Sequence, residues 1–122
     1  MKRTLTFALI ATLFVLSGCN AAKKVRSPET EALFRAAAEG NADTVRELLA
    51  APNVDINGLD ENWNTPLMIA AQNGHDDVVS ALLIARANIN ARNNQGKTAL
   101  VLAAEGGHDE SVRLLKDAGA PR

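Results

Sequence analysis

Chemistry in this 122-residue chain would have to come from few side chains. It holds two histidines, His75 and His108, and a single cysteine, Cys19. After Cys19 the serines are Ser27, Ser80 and Ser111, and two acid pairs follow the histidines, Asp76-Asp77 and Asp109-Glu110. An imidazole can act as a base or a metal ligand. A serine needs a base beside it to become a nucleophile, and paired carboxylates can divide acid and base roles. A lone cysteine permits neither an intramolecular disulfide nor a cysteine-based metal cluster. No serine sits in a G-x-S-x-G elbow, and Gly106-Gly107 is too little for a phosphate loop.

The elements that position these residues repeat. Thr65-Pro66-Leu67-Met68-Ile69-Ala70-Ala71-Gln72-Asn73-Gly74-His75 returns further on as Thr98-Ala99-Leu100-Val101-Leu102-Ala103-Ala104-Glu105-Gly106-Gly107-His108. In the other direction, Ala36-Ala37-Ala38-Glu39-Gly40 matches Ala70 to Gly74, and Val45, Leu48 and Leu49 match Val79, Leu82 and Leu83. Asp55-Ile56-Asn57 answers Asn88-Ile89-Asn90. Both histidines therefore stand at one position of the repeat, which points to capping or packing ahead of catalysis. One repeat apart, about 10 Å in a stack of helices, they are too distant to share a metal. The acid pairs fall in the first turns of helices, where they favour the helix dipole.

Each copy predicts two helices. Thr65 is placed to cap a helix whose first residue is Pro66, where the missing N–H costs nothing. Gly40, Gly74 and Gly107 end the first helices. Val79, Leu82 and Leu83 lie on one face of a second helix. Such pairs leave an apolar face open and must stack, joined by turn-like fingers at about Asn57–Asn64 and Asn90–Lys97. The ends differ: Ser27-Pro28-Glu29 starts the first helix, and Ser111 and Lys116 replace Val78 and Leu83, which predicts a last repeat facing water.

A period of about 33 residues with T-P-L-x-x-A-A-x-x-G-H, V-x-x-L-L and D-x-N resembles the ankyrin repeat. The resemblance covers about Thr30 to Ala120 and implies an all-α solenoid of about three helix-turn-helix repeats, near 30–62, 63–95 and 96–122, in a domain from 28 to 122. Two departures stand out. The histidine usual after T-P-L is Met68 or Val101, and the finger glycine kept as Gly96 is Trp63 one repeat earlier. In such proteins, partners meet the fingers and the concave face of the first helices. By motif position that implies Glu61, Asn62, Trp63, Asn64, Gln72 and Asn73, then Asn94, Gln95, Lys97 and Glu105. Trp63 has two readings, an exposed anchor for a partner or a ring folded onto Asn94 to Lys97.

The N-terminus carries a different signal. Met1-Lys2-Arg3 precedes an apolar stretch from Leu5 to Leu16, broken only by Thr6 and Thr12. It falls short of the about 20 residues that a bilayer span needs and suits the apolar region of a signal peptide. It ends in Leu16-Ser17-Gly18-Cys19, which resembles the lipobox of bacterial lipoproteins. That resemblance implies a signal peptide over 1–18, diacylglycerol and acyl lipid on Cys19, and a tether over 19–27. Asn20 is not the aspartate that retains such proteins in the inner membrane of enteric bacteria, so the outer membrane, facing the periplasm, is favoured over the inner. Lys23, Lys24 and Arg26 either meet anionic headgroups or belong to a merely soluble linker.

The chain has 13 basic and 14 acidic residues, but from Ser27 onward the balance is 8 to 14. That argues against nucleic acid, which needs a basic face. The expectation is a non-catalytic lipoprotein without cofactor that binds another protein in the bacterial envelope. The alternative is an immunity protein that neutralises a toxic effector enzyme, its acidic stack against a basic toxin face.

Overall fold

A computed structural model describes residues 26–119 as six helices. They are α1 (Pro28–Glu39), α2 (Ala42–Leu49), α3 (Pro66–Asn73), α4 (Asp76–Ile84), α5 (Ala99–Glu105) and α6 (Asp109–Asp117). The first helices α1, α3 and α5 pack side by side in one row, and α2, α4 and α6 form a second row behind them. The all-α solenoid expected from the repeat is the fold observed. The signal peptide, Cys19 and the tether as far as residue 25 lie outside the described residues.

Local sequence explains each helix boundary. Ser27, Thr65 and Thr98 accept the N–H of Thr30, Met68 and Val101, at 3.2, 3.2 and 3.4 Å. Each such cap contributes about 1 kcal/mol. Asn41 does the same for α2 through Thr44 N–H. Gly40 and Gly74 close α1 and α3 with φ of +79° and +73°, a conformation that costs other residues about 1–2 kcal/mol. In the third repeat α5 stops a residue sooner than expected: Gly106 is its cap, and Gly107 takes the left-handed turn.

The core lies between the rows. Leu33, Val45, Leu67, Val79, Leu82 and Leu115 are wholly excluded from solvent. Ala37, Ala70, Ala71 and Ala103 are buried as well, and their small side chains let neighbouring first helices close on one another. Met68, in place of the usual histidine, is buried, whereas its counterpart Val101 is 38% exposed because no helix lies beyond it among the described residues.

The histidines hold repeats together. His75 Nε2 donates to the carbonyl of Ala38, and His108 Nε2 to that of Gln72, both at 3.0 Å. Each stands at the start of a second helix, yet neither side chain caps it. Of the two structural jobs expected, packing is the one they do.

Two expectations are corrected. Ser111 does not face water: it is fully buried and donates to Asp76 of the preceding repeat at 2.5 Å. A hydroxyl can replace Val78 here because that carboxylate supplies its partner. Lys116 is exposed, as expected. Arg26 and Ser27, read as the end of the tether, are part of the folded body. Arg26 pairs with Glu31 at 2.8 Å, donates to the Leu59 carbonyl at 2.7 Å and lies 4.9 Å above the Phe34 ring. Its guanidinium is thereby engaged within the folded body, and Ser27 Oγ also donates to the Asn53 carbonyl.

Candidate functional site

The fingers are built by one side chain each. Asp60 Oδ1 accepts the N–H groups of Asn62 and Asn64, both at 2.8 Å, while Asp60 N–H donates to the Asn64 carbonyl. One repeat later, Asn93 does the same for Gln95 and Lys97, at 2.9 and 3.0 Å. A short polar side chain bonding backbone two and four residues ahead folds the chain into a tight loop without a sheet. Asp60 and Asn93 were not among the residues singled out by motif position. Their shared spacing and shared Asx chemistry were the available signal.

The loop demands a left-handed residue at its tip. Gly96 fills that place in the second finger at φ +74°, and Trp63 fills it in the first at φ +65°. Trp63 is 59% exposed, so much of its side chain is open to solvent. Glu61 and Asn62 beside it are exposed too, and so is Leu59 before Asp60. The two fingers are joined to each other. Asn94 N–H donates to the Asn62 carbonyl at 3.0 Å, and Asn93 Nδ2 donates to Asn64 Oδ1 at 3.0 Å.

The remaining residues divide between open and engaged. Gln72 and Asn73 are exposed at the far end of α3, about 10 Å along the helix from the finger tip's side. Asn94 and Gln95 are exposed on the second finger. Asn64 is half-buried and serves the finger-to-finger joint. Lys97 and Glu105 pair with each other at 2.8 Å along α5, so each is presented as part of an ion pair. The fingers and the α3–α5 face thus form one polar surface, with Trp63 as its large apolar side chain.

Among the described residues no three His, Cys, Asp or Glu side chains are placed to hold a metal. Asp76, a member of the first acid pair, accepts the Ser111 hydroxyl. No described helix is long and apolar enough to cross a membrane.

Comparison with known families agrees with this architecture. The family model described as ankyrin repeats, in three copies, matches residues 7–93 and again 33–121. No curated protein matches the chain.

Proposed function

The chain belongs to the ankyrin-repeat family, whose repeats form a protein–protein interaction module, and from that premise we propose a lipid-anchored adaptor of the bacterial cell envelope. In this reading Cys19 carries diacylglycerol and acyl chains, and the stack binds another protein without catalysing a reaction, as is typical of the family. Asn20 favours the outer membrane, on the periplasmic side. Arg26 is tied to the folded body, which leaves only Asn20 to Val25 between it and the anchor. That segment reaches at most about 22 Å, so the stack works close to the lipid surface.

The observation that carries the binding role is Trp63. A non-glycine residue in the left-handed region is strained, and strain of this kind clusters at functional sites. Here a large apolar side chain is also held out in water by a loop that Asp60 fixes. Tryptophan is among the residues most enriched at interface hot spots. Glu61, Asn62, Gln72, Asn73, Asn94 and Gln95 supply the polar surroundings, and the Lys97–Glu105 pair and Asn64 hold the surface in shape.

The test is crosslinking in intact cells, followed by recovery of the bound protein, with Trp63→Ala beside the natural chain. Loss of the adduct at an unchanged unfolding midpoint supports the reading. Equal recovery from both chains removes Trp63 from it.

A further inference from the structure

The body has two unlike edges. Fingers, connectors and the starts of the first helices form one edge, and the turns within each helix pair form the other. The two lie about 12 Å apart along α3 and about 18 Å along α1. The large apolar side chains exposed among the described residues are Leu59, Trp63, Ile84 and Val101. Leu59 and Trp63 belong to the first finger, and Ile84 ends α4 at the same edge. Val101 lies in the first turn of α5, on the outer side of the third repeat. None of them stands at the turn edge.

Charge divides along the same line. The turn edge carries Glu39, Asp43, Asp76, Asp77, Asp109 and Glu110, and no lysine or arginine of its own. Arg46 and Arg113 reach Asp43 and Glu110 from one turn further along their helices. At the finger edge Asp55, Asp60 and Glu61 are offset by Arg86, Arg92 and Lys97, the last paired with Glu105. The chain also enters the body at the finger edge. Arg26 holds the Leu59 carbonyl and Ser27 the Asn53 carbonyl, and Lys23 and Lys24 come just before them.

We propose that the finger edge faces the lipid surface, with Leu59 and Trp63 at the level of the headgroups. This orientation rests on the lipid anchor at Cys19 put forward above. The segment Asn20 to Val25 reaches at most about 22 Å, more than the body is deep, so the tether admits either edge and the side chains decide. Anionic headgroups repel the turn edge but not the finger edge, where Lys23 and Lys24 add positive charge. Tryptophan, apolar in its rings and polar at its N–H, settles at membrane interfaces. The partner that Trp63 meets is then a protein of the same membrane, docking at headgroup level.

Trp63 is the chain's one tryptophan, which makes it a probe of its own depth. The lipidated full chain is placed in vesicles of zwitterionic and anionic phospholipid, a fraction of it bearing a nitroxide quencher on the headgroup. Trp63 is expected to lose most of its emission. In the double variant Trp63→Phe, Asp77→Trp the probe moves to an exposed position of the turn edge, and most of the emission remains. Asp43→Trp in the Trp63→Phe chain repeats that reading at a second exposed position, and unfolding midpoints are measured for each variant. Leu59→Glu keeps the carbonyl that Arg26 holds, yet restores much of the Trp63 emission. Equal quenching at both edges, stronger quenching at the turn edge, emission indifferent to Leu59→Glu, or an unquenched Trp63 in a chain that sediments with the vesicles overturns the orientation and leaves the anchor standing. A chain with Cys19 intact that stays in the supernatant removes the anchor, and the orientation with it.

Discussion

Gly74 and His108 stand in successive repeats and fit together as hydrogen and ring: the imidazole occupies the space that a side chain on Gly74 would take. Gly40 and His75 repeat the relationship, with a Cβ on Gly40 falling 2.6 Å from Nδ1 of the ring. The glycine is thus required twice over, by its φ of +73° and by its neighbour. Gly74→Ala is expected to destabilise the stack by more than the about 1–2 kcal/mol of left-handed strain alone. In a His108→Ala background the same change should cost only the strain. Urea unfolding of the four chains of this cycle measures the difference, and an equal cost in both backgrounds would show that the ring does not depend on the glycine.

Ser111 and Asp76 form the other joint between the second and third repeats. Ser111→Ala is expected to cost about 1 kcal/mol, since it removes a buried hydrogen bond to a carboxylate and leaves a small void. Asp76→Asn, which keeps an acceptor for the hydroxyl, should cost less. Thermal unfolding of both variants checks the order.

Trp63 and Arg86 are the two non-glycine residues at positive φ among the described residues, at +65° and +66°. Their counterparts one repeat later are Gly96 and Gly119. Trp63→Gly and Arg86→Gly are each expected to raise stability by about 1 kcal/mol by releasing strain. Only the first should weaken partner binding. Stability and binding measured on both variants would separate a strained functional residue from a strained bystander.

Asp60 is expected to matter to binding without touching the partner. Asp60→Ala removes the acceptor for two finger N–H groups and lets the tip move, so affinity should fall with Trp63 still present. Asp60→Asn, the residue type that Asn93 uses in the second finger, should restore most of it. Amide hydrogen exchange at Asn62 and Asn64 reads the loosening directly.

The repeat, its helix pairs and the Ser27 and Thr65 caps were legible because apolar spacing, a Ser or Thr before proline and glycine stops are local signals, whereas the Asn41 cap was not read and the two histidines do not cap. Trp63 was legible for the same reason, as the residue standing where Gly96 stands later. Other features depend on partners distant in sequence. Ser111 reads as a water-facing substitute for Val78 until Asp76, in the repeat before it, is seen to accept its proton. Arg26 sits among basic tether residues, and only the Leu59 carbonyl, far along the chain, and the Phe34 ring draw it into the fold. Asp60 and Asn93 repeated in register, but their role rests on backbone groups that no side-chain pattern displays.

The anchor has its own check. Incorporation of labelled fatty acid should be lost in Cys19→Ser and retained in Trp63→Ala, while label that survives Cys19→Ser would remove the thiol from the account.

The central claim, a non-catalytic stack that presents Trp63 to a partner, is tested most directly by one paired measurement on natural chain and Trp63→Ala. Partner recovered by crosslinking in intact cells is compared with the unfolding midpoint of the purified chains. The account predicts that recovery collapses in the variant while its midpoint stays the same or rises. Undiminished recovery, or recovery and midpoint falling together, would contradict it.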